Sequence, residues 1–261
     1  MPDKAFRDHL RRKIDLPFPP KRIVSLCPSI TETLFDLGLE DRIVGRTRYC
    51  IHPEDLVKNV KTVGGTKKIK QDVIDELNPD LIVAEKEENP KEAIEALETH
   101  YPVFVTDVET YDDGLRMILD LGTLTDREEK AAEMVSAIKK KFQNLLRTKK
   151  QTVAYVIWKN PYMVAGSQTY IDSLLEKAGF TNVFGNLSER YPTVSIEDFR
   201  EASPDTIFLA SEPFPFQESH RKEFEQQVPK SQITRIDGEI CWYGSRMLKA
   251  ADKLNRLTMT V

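Results

Sequence analysis

The 261-residue sequence predicts an α/β protein of two lobes, each built on a largely parallel sheet, with one long helix between them. Short apolar runs alternate with helical patterns in both halves, which is typical of such sheets. An unbroken helical pattern separates the halves, and the halves resemble each other. We therefore expect an N-terminal lobe over residues 1–125, an interlobe helix over 126–150 and a C-terminal lobe over 151–261.

The first half opens with a polar segment, residues 1–21, whose prolines predict a lead-in strand or arm. Next comes a short buried strand at Arg22–Leu26. A helix is expected from Pro28, because Ser29 and Glu32 have capping-box spacing. Further strands are predicted at Asp80–Ala84 and Val103–Thr106, with helices near 71–77, 90–100 and 111–122.

The middle of the chain has the longest helical pattern, from Asp126 to about Lys149. Its acidic residues come first and its basic residues last, as the helix dipole favours. Apolar residues recur at steps of three and four. At ~1.5 Å per residue, such a helix would span roughly 35 Å, enough to run between two lobes.

The second half repeats the alternation, with strands at Thr152–Trp158, Thr206–Ala210 and Ile233–Asp237 and helices at 168–178, 195–202, 217–227 and 245–257. Residues 175–185 resemble residues 34–45, and residues 199–210 resemble residues 74–85. Two ordered matches of this kind predict a duplicated architecture.

Loops after equivalent strands contain an Arg-Tyr pair in each half, Arg48-Tyr49 and Arg190-Tyr191. Because α/β sheets bind ligands at the carboxyl ends of their strands, we expect these pairs to contact a ligand held between the lobes. Several other polar and aromatic residues in the predicted loops are also candidate ligand-binding residues: His52, Glu88, Trp158, Tyr162, Glu212, Phe214, Trp242, Tyr243 and Arg246.

Alternatives remain open for these residues. The aromatic side chains suit a large amphipathic ligand, but they could instead pack beneath the loops. The arginines suit an anionic ligand as bidentate donors, but each could be tied to a nearby acid such as Glu87, Glu88 or Glu212.

Cys50 and His52 suggest chemistry of another kind. A metal site needs at least three such ligands, and only distant residues could complete one: His220, Cys241, Glu88 or Asp237. A direct metal-ion receptor therefore stays an alternative. A cysteine nucleophile lacks a third, orienting group, and the glycine-containing turn at Val63–Thr66 lacks the phosphate-binding patterns.

Composition excludes some classes of protein. The net charge of −4 argues against nucleic acid as a partner. No apolar run is long enough for a membrane span or a secretory signal. Three sparse cysteines favour a reducing compartment. The chain as written is therefore expected in the cytoplasm.

The sequence resembles the class III substrate-binding proteins of ABC importers, the helical-backbone metal receptors, and is most similar to their vitamin B12-binding and ferric-siderophore-binding branch. The residues that carry the resemblance cover about 15–258 and include Lys21–Glu32, Val63–Gly65, Pro79–Val83, Gly166–Gly179 and Gly244–Arg246.

The resemblance implies two Rossmann-like lobes and a rigid interlobe helix, with no catalysis and no intrinsic cofactor. It implies a monomer that binds a metal chelate, such as cobalamin, a ferric siderophore or haem. It also implies an ABC permease partner that is contacted by one acid on each lobe, for which Asp72 and Glu197 are the candidates. The protein would then be periplasmic or on the cell surface, if the sequence was trimmed. A cytoplasmic sensor or enzyme that reuses the fold stays the other alternative.

Overall fold

A computed structural model describes residues 3–145 and 151–260, with side chains described as far as residue 257. The chain folds into two compact units. Unit 1 comprises Met1–Val108 and Asp112–Ser136, and unit 2 comprises Glu109–Tyr111 and Ala137–Val261. Each unit contains α-helices and its own β-sheet, which confirms the predicted α/β class.

The central sheet of unit 1 has five parallel strands in the order β5-β4-β3-β6-β7. Its strands are β3 (Ile23–Ser25), β4 (Ile43–Arg46), β5 (Lys61–Thr62), β6 (Leu81–Glu85) and β7 (Val103–Thr106). The helices in this part of the chain are α1 (Pro28–Asp36), α2 (Glu54–Val57), α3 (Gln71–Leu77), α4 (Lys91–Glu98) and α5 (Tyr111–Thr125). Strand β6 is buried along its whole length, as expected for a central parallel strand.

Residues 3–17 differ from the predicted lead-in strand or arm. They form an antiparallel hairpin of β1 (Asp3–Arg7) and β2 (Lys13–Pro17). Strand β2 alternates between exposed and buried residues, with Ile14 and Leu16 in the core. This period of two is that of a strand with one buried face.

The sheet of unit 2 is mixed, with six strands. Strands β8, β12, β13 and β10 are parallel neighbours, while β9 and β11 pair antiparallel at one side. The strands are β8 (Gln151–Trp158), β9 (Tyr162–Val164), β10 (Phe180–Asn182), β11 (Thr193–Val194), β12 (Thr206–Ala210) and β13 (Gln232–Ile236). The helices are α7 (Tyr170–Lys177), α8 (Ile196–Ala202), α9 (Glu218–Gln227) and α10 (Met247–Thr260).

The sequence repeat appears in the backbone. Helices α3 and α8 both end in a left-handed C-cap, at Asn78 (φ 42°) and Ser203 (φ 44°). A Pro-Asp pair follows each cap and leads into a buried central strand, β6 or β12. Helices α1 and α7 are likewise followed by a glycine with positive φ, Gly38 and Gly179, as in a glycine-terminated helix.

The two aspartates of the repeat have the same function in each unit. Asp80 accepts the backbone N–H groups of Lys21 and Arg22 just before β3, at 2.7 and 2.8 Å. Asp205 accepts the backbone N–H of Thr152 in β8, at 2.7 Å. Each carboxylate thus fixes the start of a neighbouring strand, which explains why the Pro-Asp pair occurs in both halves.

Two local predictions were wrong. The helix expected from Asp126 to about Lys149 is shorter: α6 (Glu128–Gln143) is about 24 Å long at ~1.5 Å per residue. Asp126 has a φ of 62°, which no right-handed helix accepts, and residues 146–150 lie outside the described part. The boundary between units falls inside α6, after Ser136.

The second concerns the start of α1. Its N-cap is Cys27, with no side-chain cap, and Pro28 is the first helical residue. Ser29 and Glu32 both lie buried within the helix rather than forming the predicted capping box. Pro28 explains the start without a box, because its ring presets the helical φ.

Candidate functional site

The candidate site of unit 1 lies in the loops that follow β4, β5 and β6. These strands are parallel, so their carboxyl ends lie at one edge of the sheet. Arg48 in the first loop donates its backbone N–H to the carbonyl of Gly64 in the second, at 2.8 Å. The Arg48 guanidinium lies 5.8 Å from the centre of the Tyr49 ring.

Gly65 is packed beneath this pair. A Cβ at Gly65 would lie 3.2 Å from the Tyr49 ring and 3.4 Å from Nε of Arg48. The loops therefore support both side chains from below, while 55% of Tyr49 remains exposed. Ile51 and Leu56 are also exposed nearby in the chain, by 48% and 45%. Neither residue is indicated by the sequence, because a single exposed aliphatic side chain has no distinctive spacing.

Cys50 faces the interior of unit 1. Its Sγ lies 3.0 Å from Oγ1 of Thr31, which donates to it, and 3.2 Å from Oγ1 of Thr47. Burial raises the pKa of the Cys50 thiol. The next candidate, His52, is half-buried and precedes a cis peptide bond to Pro53. Cys50 therefore has a structural role, since a buried thiol with a raised pKa is a poor nucleophile.

The third loop of unit 1, residues 86–90, is held from inside. Glu85 at the end of β6 is 2% exposed, and its carboxylate accepts the backbone N–H groups of Glu87 and Glu88. Asn89 is also buried and fixes the same loop. The candidate Glu88 is half-buried there. The anchoring of the 86–90 loop by Glu85 and Asn89 is not indicated by the sequence, because acidic residues after a strand are usually solvated.

The Arg-Tyr pair of unit 2, Arg190-Tyr191, also lies against a glycine. Gly166 donates its backbone N–H to the carbonyl of Arg190, at 2.8 Å. A Cβ at Gly166 would lie 2.4 Å from the carbonyl oxygen of Glu189. The Arg190 guanidinium forms an ion pair with Glu109, with 2.7 Å between Nη1 and Oε1. Tyr191 is half-buried beside it in the chain.

A second group of candidates in unit 2 surrounds the loops after β12 and β13. Nε1 of Trp242 donates to Oε1 of Glu212 at 2.6 Å. The guanidinium of Arg246 lies 5.3 Å from the Trp242 ring centre, and its Nη1 lies 2.9 Å from Oε2 of Glu239. Arg246 is only 5% exposed, and Glu239 gives its buried charge an acidic partner within the unit.

Gly238 makes this arrangement possible. A Cβ there would lie 2.4 Å from Cγ of Glu212, so only glycine fits between the two loops. Below the loops, Sγ of Cys241 donates to the Tyr155 hydroxyl at 3.2 Å. Enclosure of the sulfur raises the pKa of Cys241 to about 12. Tyr243 packs edge-to-face on Tyr170, with 5.6 Å between ring centres.

The remaining aromatic candidates divide into two kinds. Trp158 is 40% exposed and packs edge-to-face on Phe214, with 5.6 Å between ring centres. Tyr162, in contrast, packs on Phe199 and Phe224 in the core of unit 2. Its hydroxyl donates to Glu223, and burial raises its pKa to about 12. The geometry thus gives Tyr162 a packing role, while Trp158 is open to solvent.

Asp72 and Glu197, the two candidate docking residues, are both exposed in the first turn of their helices, α3 and α8. Glu197 forms an ion pair with Arg200 one turn later, at 2.9 Å. Within the described residues, no ion pair involves Asp72.

Comparison with known proteins shows the family to which the chain belongs. The family model for periplasmic binding protein matches residues 23–235, which is most of the chain. This chain belongs to the periplasmic binding proteins. The resemblance noted in the sequence is therefore confirmed at the level of the family, and so is the α/β fold class.

The relatives of this periplasmic binding protein bind different ligands. A vitamin B12-binding protein of Vibrio parahaemolyticus is 27% identical over 200 residues, 74% of this chain and 71% of its own. A periplasmic haem-binding protein of Pseudomonas aeruginosa aligns with a TM-score of 0.79 and 20% identity, covering 92% of each chain. An Fe³⁺-hydroxamate transport protein of Saccharomonospora viridis aligns with a TM-score of 0.74 and 21% identity, covering 98% of each. The two structural matches establish the fold alone.

The alternative of a direct metal-ion receptor, and the presence of a membrane span, can be checked in the structure of this periplasmic binding protein. Among residues 3–145 and 151–260, no group of three or more His, Cys, Asp or Glu side chains could hold a metal ion. The direct metal-ion receptor therefore lacks a candidate ligand set in that part of the chain. No helix there is both long and apolar enough to cross a membrane.

Two of the candidate arginines of this periplasmic binding protein have acidic partners that the sequence did not indicate. Arg190 pairs with Glu109, and Arg246 pairs with Glu239. Glu109 is 81 residues from Arg190, and no periodic signal connects residues that far apart. The predicted ligand contacts stay predictions, as does the division at residues 125 and 150.

Proposed function

We propose that this chain is a non-catalytic substrate-binding protein of an ABC-type importer that binds a metal chelate of the cobalamin, haem or ferric siderophore class. One observation carries the proposal. Each unit presents an Arg-Tyr loop supported by a glycine, Arg48-Tyr49 on Gly65 and Arg190-Tyr191 on Gly166. Vitamin B12 and haem, the ligands named for two of the relatives, are built on large flat ring systems with polar groups at the edge.

Aromatic faces and guanidinium groups suit such ligands. A flat ring system stacks on exposed aromatic side chains, and peripheral carboxylates or amides accept hydrogen bonds from arginine. Tyr49 and Trp158 are both large, exposed aromatic residues on loops or strand ends. Both are supported by neighbours, Tyr49 by Arg48 and Trp158 by Phe214, so little conformational entropy is lost on binding.

Fluorescence titration tests the proposal. The chain has two tryptophans, Trp158 and Trp242, both among the predicted contact residues. Cyanocobalamin, haemin and a ferric hydroxamate should each be titrated while tryptophan emission is followed, and heats should be measured by calorimetry. Saturable binding of one of them is expected. If none gives either saturable quenching or a heat of binding, the proposed ligand class is wrong.

A matched pair of variants identifies the contact face. Tyr49→Ala should weaken binding of the selected chelate by about 5- to 30-fold, since one lost aromatic contact is worth roughly 1–2 kcal/mol. Leu119→Ala removes another exposed large side chain of unit 1, on helix α5, and should leave the affinity unchanged. Equal affinities for both variants would remove Tyr49 from the site.

We also propose that Asp72 and Glu197 contact the permease. They occupy the first turns of the repeated helices α3 and α8, which end in the same left-handed cap. Asp72→Lys with Glu197→Lys should abolish uptake through the cognate permease and leave chelate affinity intact. The matched control is Glu76→Lys with Glu201→Lys, exposed acids later in the same helices. Equal uptake in both double variants would contradict this docking assignment.

A further inference from the structure

A buried carboxylate stands at the base of one predicted ligand loop in unit 1. Glu85 is the last residue of β6 and is 2% exposed, although the two residues after it are exposed. Its Oε2 accepts the backbone N–H of Glu87 at 2.7 Å and that of Glu88 at 2.9 Å. The carboxyl group of Glu85 therefore holds the first turn of the 86–90 loop against the end of the strand, through one oxygen that accepts both N–H groups.

Asn89 connects the same loop to the predicted ligand face. Its Oδ1 accepts the backbone N–H of Glu85, and its Nδ2 donates to the carbonyls of Leu26 and Thr66, both at 3.1 Å. Thr66 follows Gly65, which supports the Tyr49 ring and the Arg48 guanidinium. A continuous set of contacts thus runs from Glu85 through Asn89 and the 64–66 backbone to the Arg-Tyr pair.

The charges around Glu85 disfavour its ionised form. Burial, together with the like charges of Glu87 and Glu88, raises the pKa of its carboxyl to about 7, against the lowering effect of the two N–H groups. Lys67 reaches the loop but donates to the carbonyl of Glu87, and Lys86 is paired with Asp107 at 2.7 Å. The residues joined to this loop from the other strands, Leu26, Thr66 and Thr106, are neutral.

We propose that Glu85 is a proton-responsive positioning residue, whose ionisation loosens the 86–90 loop and so lowers the affinity of the adjacent Arg48-Tyr49 face for its ligand. The effect on the loop is independent of the proposed function. The effect on affinity rests on it.

The direction of the effect follows from linkage. With the loop closed, the pKa of Glu85 is about 7, whereas an opened loop returns the carboxyl to solvent and to its ordinary value of 4.5. The closed loop therefore binds a proton more tightly than the open loop. Closure is most favourable below pH 4.5 and loses stability as the pH rises through 7. The opening constant should therefore rise by at least about tenfold between pH 5 and pH 8.

Amide hydrogen exchange measures that constant directly. After correction for intrinsic exchange rates, protection of the Glu87 and Glu88 amides should fall by at least about tenfold from pH 5 to pH 8 in the wild type. Glu85→Gln keeps an oxygen acceptor without a titrating proton, so its protection should not change with pH. Glu92→Gln removes an exposed acid in the first turn of α4 and should behave as wild type. Unchanged protection in the wild type, or an equal fall in Glu85→Gln, would overturn the proposal.

A second measurement uses only the wild-type protein and needs no variant. Carboxyl ¹³C NMR of the wild-type protein should show Glu85 titrating near pH 7. Titration near 4.5 would overturn the proposal.

A third measurement links the loop to the ligand. Cyanocobalamin should bind the wild type more weakly at pH 8 than at pH 5.5. In Glu85→Gln, its affinity should be the same at both pH values. Equal pH dependence in both proteins would refute the coupling to affinity. If cyanocobalamin does not bind, haemin and the ferric hydroxamate are tested in the same way. If none of the three binds at any pH, the ligand assignment fails, while the exchange and NMR results still decide the loop mechanism.

Discussion

Phe199 is the best position at which to test the packing of unit 2. It is fully buried on α8 and makes edge-to-face contacts with Tyr162, Phe184 and Phe224, at 6.2, 5.3 and 5.5 Å between ring centres. Leucine at this position would stay apolar but lose all three aromatic contacts. Each such pair contributes about 0.5–1.5 kcal/mol beyond buried area.

Phe208 in β12 gives a matched control in the same unit. It is equally buried, and its aromatic contact is with Phe180, at 5.6 Å. Both substitutions share the cost of replacing phenylalanine by leucine, so their difference isolates two aromatic pairs. Phe199→Leu should therefore lower the free energy of unfolding by about 1–3 kcal/mol more than Phe208→Leu.

Urea unfolding followed by tryptophan fluorescence measures this difference, since both tryptophans, Trp158 and Trp242, belong to unit 2. With a urea slope of about 2 kcal/mol per M, the two midpoints should differ by about 0.5–1.5 M. Equal midpoints, or a lower midpoint for Phe208→Leu, would show that the edge-to-face cluster adds nothing to area burial.

Two further predictions concern the loops and thiols of the protein. Gly238→Ala should move Glu212 away from the Trp242 indole and destabilise unit 2 by about 1–3 kcal/mol, because the added Cβ would lie 2.4 Å from Cγ of Glu212. The expected result is a red-shifted tryptophan emission and a lower urea midpoint. An unchanged emission spectrum would contradict this prediction. The thiols of Cys50 and Cys241 should react slowly with a disulfide reagent at pH 8 in the native protein, since burial raises both pKa values. Both thiols should react rapidly in urea. Rapid reaction of either thiol in the native protein would show that it is not enclosed.

Those parts of the fold that depend on local sequence patterns were predictable. The Pro-Asp pairs at Pro79 and Pro204 gave the repeat, because a proline ends a helix and an aspartate accepts N–H groups of a neighbouring strand. The long helix was overestimated for a local reason as well. Asp126 continues the pattern of charges but adopts a positive φ, which the pattern does not contain.

The geometry of the candidate site was predictable only in part. The Arg-Tyr pairs stay predicted ligand contacts, and they were selected because both follow a strand in repeated segments. The acid partner of Arg190, Glu109, could not be found, since their ion pair depends on how distant segments fold together. Glu85 was missed for a different reason. Its burial depends on the turn of its own loop, in which Asn89 bonds back to the strand end.

The membership of Glu109–Tyr111 in unit 2 has a consequence for how the protein is made. These three residues lie between two segments of unit 1, so unit 2 is discontinuous in the sequence. During synthesis, all of unit 1 has been made by Ser136, but the partners of Glu109 and Tyr111, namely Arg190 and Ser173, come later. Unit 1 can thus complete its core first, whereas unit 2 must wait for the rest of the chain. A gene fragment that begins at the second unit's main segment would lack the acid that neutralises Arg190.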